Sequence, residues 1–251
     1  MAGFLELPGR SDKPRDQGIT HVLDRGLSAA DIDSMVEVAG GAIDIVKLGW
    51  GTAIATGNLE QKLERYRHHG LPVVLGGTLT EVAISQRRLE QLLGWVRELG
   101  LRHFEISDGT IPLEHRRKLQ LIEQLAQEFT VLSEVGSKDD TGAITPPYRW
   151  VEMMRAELAA GAWKVIAEGR EAGTAGIFRP NGEVREGLIG EIVHEIDPTK
   201  IMFDAPKKHQ QVWFLRRFGS EANLSNIAAD DVLGVETLRL GLRSDTLGIG
   251  Q

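Results

Sequence analysis

The chain of 251 residues contains no cysteine. That excludes disulfides, zinc fingers, thiolate nucleophiles and cysteine-held iron–sulfur clusters. It has no run of ~18 apolar residues, the length that crosses a bilayer, so no membrane is expected as a partner. The opening segment from Met1 to Pro8 has no basic stretch leading into an apolar one. A secretory leader is therefore not expected, and the cytoplasm is the expected location. Basic charge is short as well. The 29 Lys and Arg face 36 Asp and Glu, for a net charge of −7, which disfavours nucleic acid because duplex binding needs a basic face. A small anionic substrate is still compatible, since a site can be locally positive in an acidic protein. Nor does the chain contain G-x-S-x-G, H-E-x-x-H, G-x-x-x-x-G-K-[ST], or a G-x-G-x-x-G after its first apolar run.

Glycine is in excess, with 29 residues against about 18 at average usage. Short apolar runs alternate with longer helical patterns. Strands are expected at Ile19–Asp24, Ile43–Leu48, Pro72–Leu75, His103–Ser107, Thr130–Val135, Trp163–Glu168, Lys200–Asp204 and Ala222–Leu224. Helices are expected near 28–39, 58–69, 81–99, 112–127, 147–160, 186–195, 207–217 and 230–240. Leu89, Leu92, Leu93 and Val96 recur at the spacing of one buried helix face. Pro112 suits a helix start and Asp230 an N-cap. Strand starts fall roughly 22 to 37 residues apart, the size of a βα unit. Eight such units give a (β/α)8 TIM barrel, α/β in class, as one domain over residues 1–251 with an N-terminal extension of about 15 residues. The rival, a doubly wound open sheet, normally has fewer strands at this length.

Charged residues recur at the C-terminal ends of these strands: Asp24, Lys47, Glu105, Glu134, Glu168 and Asp204. Side chains alternate along a strand, so a charged residue between apolar neighbours that face the helices faces the barrel axis. A ring of such charges needs a compensating cation, ligand or network, and barrel enzymes place catalysis at this face. Carboxylates without Cys or a His-rich motif favour Mg²⁺ over Zn²⁺. His21 and His103 are candidate ligands, but lone strand histidines are more often structural. Lys13, Arg15, Lys138, Arg170, Arg239 and Arg243 are the basic residues available to a phosphate or sulfonate.

Several strings, in order, carry a resemblance. They are Lys13-Pro14-Arg15; Asp24 with Gly26; Asp44 to Thr52 around Lys47; Gly76-Gly77-Thr78-Leu79 with Glu81; and Glu105 to Thr110. They continue with Glu134-Val135-Gly136-Ser137-Lys138, Glu168 to Gly173, Asp204-Ala205-Pro206 with Gln210-Gln211, Asn223 with Asn226-Ile227, and Glu236 to Thr246 around Arg239 and Arg243. Together, from about residue 10 to 248, the chain resembles the phosphosulfolactate synthase family. The resemblance implies a Mg²⁺-dependent barrel enzyme, a carbon–sulfur lyase in class, that adds sulfite to phosphoenolpyruvate to give (2R)-phospho-3-sulfolactate. Such a product leads to coenzyme M in methanogens and to sulfolactate in some bacteria. The resemblance also implies a homo-oligomer, with a trimer as the expected order.

Within that reading Lys138 supplies the proton, with Lys47 as the alternative donor or as a contact to the substrate carboxylate or phosphate. Glu105, Glu134, Glu168 and Asp204 are the metal-site candidates, of which one or two ligate directly. Arg170, with Arg15, Arg243 and Asn223, is assigned to the substrate. Asp204 stands where the family usually has Glu, one methylene longer. Two other readings stay open: a family relative with a stress-tolerance or partner-binding role, and a Mg²⁺ enzyme acting on another phosphorylated three-carbon acid. Retention of every charged strand-end residue type and both lysines speaks against a decayed site.

Overall fold

The computed structural model describes residues 4–136 and 145–249. Eight parallel strands form one sheet: β1 (Thr20–Asp24), β2 (Ile45–Leu48), β3 (Val73–Leu75), β4 (His103–Ile106), β5 (Thr130–Val135), β6 (Lys164–Ala167), β7 (Ile201–Asp204) and β8 (Leu224–Ala228). The hydrogen-bonded order is β3-β2-β1-β8-β7-β6-β5-β4, and β3 lies beside β4 without a ladder between them. The result is a nearly closed (β/α)8 barrel, the fold the strand arithmetic predicts.

Ten α-helices surround it among the described residues. They are α1 (Ala29–Ala39), α2 (Thr52–Ala55), α3 (Leu59–His68), α4 (Gly77–Ser85), α5 (Leu89–Glu98), α6 (His115–Leu125), α7 (Pro147–Ala159), α8 (Glu186–Glu195), α9 (Lys208–Phe218) and α10 (Val232–Arg239). The expected 81–99 helix is two helices, interrupted where Arg87 takes a left-handed φ of 57°. Pro112 does not start α6; that helix begins after Glu114. Asp230 belongs to a 3-10 turn ahead of α10 instead of capping it. β8 begins at Leu224, where its expected span ended.

Two faces of each strand are buried, as parallel barrel strands require. Outward residues such as Val22, Val46, Phe104 and Val165 pack with the helices. A separate apolar cluster of Ile19, Ile45, Val74, Leu132, Ile166 and Met202 fills the barrel interior. Two residues further along their strands, and so on the same inward face, come Lys47, Glu134, Glu168 and Asp204. The apolar plug is the floor on which these charges stand. Asp24 has the opposite parity. It points to the helix layer, where Lys62 Nζ lies 2.6 Å and Tyr66 Oη 2.7 Å from its carboxylate. Asp24 is thus a tie between β1 and α3 and no part of the inward ring.

Candidate active site

At the C-terminal end of the strands a cavity of about 370 Å³ is lined by residues from five of the βα units, β2 to β6, and by Leu23 and Asn226. Lys47 and Arg170 supply its positive charge; Glu105, Glu134, Glu168 and Glu171 supply its negative charge. Lys47 Nζ sits 3.2 Å from Glu105 Oε2. Burial works against the Lys47 ammonium, but Glu105, Glu134 and Asp204 outweigh it and hold its pKa above the ordinary lysine value. Lys47 is therefore a fixed positive charge.

Glu105 is oriented from a second side by the Gly77 N–H, which donates to Oε1 at 2.6 Å. Only glycine fits there: a Cβ on Gly77 would stand 2.6 Å from Ser107 Oγ and 3.2 Å from Glu105 Oε1. Glu168 Oε1 accepts from the Arg170 N–H at 2.5 Å. Gly176, with φ of 57°, lets the loop fold back onto Glu168, since a Cβ would fall 1.9 Å from the Glu168 carbonyl oxygen.

Asp204 is fully buried and accepts the Gly169 N–H at 2.9 Å. It does not line the cavity among the described residues. Burial, reinforced by Glu134 and opposed by Lys47, pushes its pKa up to about 7. Asp204 shares the inward face of the barrel with Glu134 and Glu168 but stands outside the described lining of the cavity. Among the described residues no three acidic or histidine side chains converge as a metal centre. His21 is buried with Nδ1 2.8 Å from Ser225 Oγ, a structural partner.

The substrate-binding expectations divide. Arg170 lines the mouth. Arg15 lies at the opposite, N-terminal end, bound to Asp44 Oδ1 at 2.9 Å and to the Ser11 and Gly41 carbonyls. Asn223 precedes β8 and is also at that end: it accepts from the Ile19 N–H and donates to the Thr199 and Ile201 carbonyls, each at 3.0 Å. Arg243 packs beside Gly234 in the first turn of α10 and is absent from the described lining of the mouth. Lys13 donates to the Gly40 carbonyl at 2.8 Å, and buried Arg239 to the carbonyls of Ser220, Ala222 and Ile19. Lys138 lies outside the described residues.

Other site features were not singled out as functional from sequence. Trp50 lines the mouth with the Arg25 guanidinium 5.7 Å from its ring centroid. Thr110 lines it too, its hydroxyl bonded to Glu81, which also accepts from Ser107 Oγ at 2.5 Å. Beneath the β4 and β5 ends, buried Lys118 bonds Asp108 at 2.9 Å, the Glu134 carbonyl at 2.6 Å and Glu157 at 3.0 Å. Lys118 could have been found, because it shares the buried α6 face with Leu121, Ile122 and Leu125 at helical spacing.

Comparison with known proteins agrees with this architecture. The profile of the (2R)-phospho-3-sulfolactate synthase (ComA) family matches residues 8–245. The phosphosulfolactate synthase of Bacillus subtilis (strain 168) is 39% identical over 244 residues, covering 96% of this chain and 97% of the relative. That of Methanocaldococcus jannaschii is 39% identical over 238 residues, covering 92% and 94%. Among solved structures, a 3-hexulose-6-phosphate synthase superposes with a TM-score of 0.53 at 16% identity, over 87% of this chain and 97% of that one. The YdjI aldolase from Escherichia coli K12 gives 0.54 at 11%, over 90% and 80%. These last two likenesses speak to the barrel alone. The sequence relationships over nearly the whole length place the chain in the phosphosulfolactate synthase family, a family of enzymes.

Proposed function

We propose that this chain catalyses the conjugate addition of sulfite to phosphoenolpyruvate, giving (2R)-phospho-3-sulfolactate, with Mg²⁺ as its cofactor. The observation that carries the reading is the charge arrangement of the mouth. Two fixed cations, Lys47 and Arg170, face four carboxylates in a cavity sized for a small molecule. A polyanionic substrate entering that cavity needs further positive charge. The donors offered are oxygens only, with no His or Cys in the described lining, which suits a hard cation. The absence of three converging ligands among the described residues suits an ion that takes one or two carboxylates and fills its shell with water and substrate oxygens. Glu105, Glu134 and Glu168, which line the cavity, are the residues that would hold it, one or two of them directly. When bound, Mg²⁺ supplies Lewis-acid stabilisation of the charge that develops on the substrate carboxylate.

The sulfite sulfur lone pair forms the C–S bond at C3, the double-bond electrons pass to the carboxylate as an aci-carboxylate, and C2 then takes a proton. Lys47, held charged, orients the anionic end of the substrate and offsets the accumulating charge. Arg170 pairs with the phosphate or the incoming sulfite. The proton to C2 is assigned to Lys138, with Lys47 as the alternative donor. Comparing Lys138→Met with Lys47→Met by single-turnover product formation decides between them.

The test of the function itself is direct. Purified protein with phosphoenolpyruvate, fresh sulfite and Mg²⁺ should form phosphosulfolactate, seen by phosphorus NMR, and EDTA should stop it. No product from these substrates, alongside turnover of another phosphorylated three-carbon acid, would overturn the reading. A homotrimer in the cytoplasm is part of the same proposal; a monomer by light scattering at micromolar concentration would remove it.

A further inference from the structure

β8 is irregular at one point. Thr20 of β1 pairs with Leu224, but Val22 pairs with Ile227, so three residues of β8 pass where β1 advances by two. The extra residue makes a bulge, a device that re-aims a side chain. Inside it Asn226 takes a left-handed φ of 56°. The other described non-glycine residues with positive φ, Trp50, Arg87 and Arg170, all lie in loops. Asn226 lines the mouth cavity, is 9% exposed, and its Oδ1 has no hydrogen-bond partner among the described residues. Glycine would adopt this backbone with less strain, and a buried amide without a partner is unfavourable. Both penalties fall on one residue that faces the cavity.

We propose that Asn226 is a substrate-contacting residue whose side-chain amide donates a hydrogen bond to a phosphoryl oxygen of the ligand held in the mouth. This rests on the reading of the site as one for a phosphorylated acid. An amide is the side chain that suits such a position. It is neutral beside four carboxylates, and a half-turn about its terminal bond presents either oxygen or N–H₂. Against an anion the N–H₂ faces inward. The assignment to the phosphoryl group follows from the place of Asn226 on the last strand, since barrels commonly hold phosphate at the β7 and β8 ends.

The test uses Asn226→Gly, which deletes the amide while suiting the left-handed backbone, and Asn226→Asp, which keeps the shape and adds a charge. Calorimetric titration with inorganic phosphate in magnesium buffer reads binding without turnover. Asn226→Gly should raise the Kd for phosphate about 10- to 100-fold, the range for a lost bond to a charged group, with an unchanged or raised Tm. Asn226→Asp should weaken phosphate binding further. Equal Kd for the parent and Asn226→Gly, or no phosphate binding by the parent, overturns the proposal. The synthase reading is judged separately, by product formation in the parent. If the parent makes phosphosulfolactate and Asn226→Gly keeps its phosphate Kd, only this inference falls. If the parent makes none while the Kd still separates the two proteins, only the substrate reading falls.

Discussion

The two ends of the barrel use the same kinds of residue to opposite ends. At the N-terminal end Asp44 takes Arg10 at 3.1 Å, Arg15 at 2.9 Å and the Thr20 N–H at 2.9 Å. Lys164 is held by Asp16 at 2.7 Å, and Arg10 also reaches Glu236 and the Gly18 carbonyl. Each of these cations is absorbed by carboxylates and carbonyls of the extension and the strand starts. Arg239 shows the strain of such burial, with a pKa pushed down to about 9 by desolvation and by neighbouring Arg10. At the C-terminal end Lys47 is also ion-paired, yet it and its partner Glu105 line open space. Charges at the first end fix the chain to itself, and at the second Lys47 and Glu105 pair across the wall of a cavity. Residue type does not tell a cavity-lining cation from one tied inward; its place in the barrel does.

The contrast can be broken most sharply at Lys47. Lys47→Met should lower kcat/KM for phosphoenolpyruvate by about 10²- to 10⁴-fold in a steady-state product assay. A near-normal rate would make Lys47 equivalent to the structural cations below. The complementary change is Asn223→Ala at the lower end. It leaves the buried Ile19 N–H without its acceptor, so a urea titration should show a loss of about 1–3 kcal/mol, while kcat/KM per folded molecule stays unchanged.

A subtler effect comes from His21, which sits between the two ends. Burial, with Lys47 and His103 adding to it, holds its pKa well below the ordinary value. The unfolded chain takes up this proton near pH 6.5 and the folded chain does not. Its contribution to stability is therefore lost as pH falls below that value, by up to about 1.4 kcal/mol per pH unit. His21→Gln should lose less stability than the parent between about pH 6.5 and 5 in denaturant titrations. Least of all should change in Arg243→Ala, whose KM for phosphoenolpyruvate should match that of the parent; a raised KM would bring Arg243 back to the substrate.

The barrel was legible in the sequence because eight apolar runs repeat at βα spacing and because parity is a two-residue rule. Ile45 and Lys47, Leu132 and Glu134, and Ile166 and Glu168 share a face on that rule alone. Asp24 failed because its partners, Lys62 and Tyr66, lie on a helix about forty residues away and offered its carboxylate a satisfied place outside the barrel. Asn223 was misplaced through a boundary. With β8 read as ending at Leu224, Asn223 falls at the C-terminal end of its strand; with β8 at Leu224–Ala228 it falls before the start. Asn226 appears in the sequence only as part of a motif, because a bulge with one left-handed residue has no periodicity to detect. Lys118 and Glu157 fall on the apolar faces of their helices, a placement that helical spacing alone carries.

The unladdered seam between β3 and β4 lies directly beneath this chemistry. Bonds involving side chains span it among the described residues: Gly77 N–H to Glu105 Oε1, the Thr80 hydroxyl to the Glu105 carbonyl, and Ser107 to Glu81. A ring of strands closed by backbone on seven sides and not on the eighth should open first at the eighth. Deuterium should therefore enter the amides of Val73–Leu75 and His103–Ile106 sooner than those of β6 and β7. Because Glu105 is both a wall of the mouth and a rivet of the seam, a ligand that stills it should slow that exchange, and occupancy would be read as a change in how often the barrel opens.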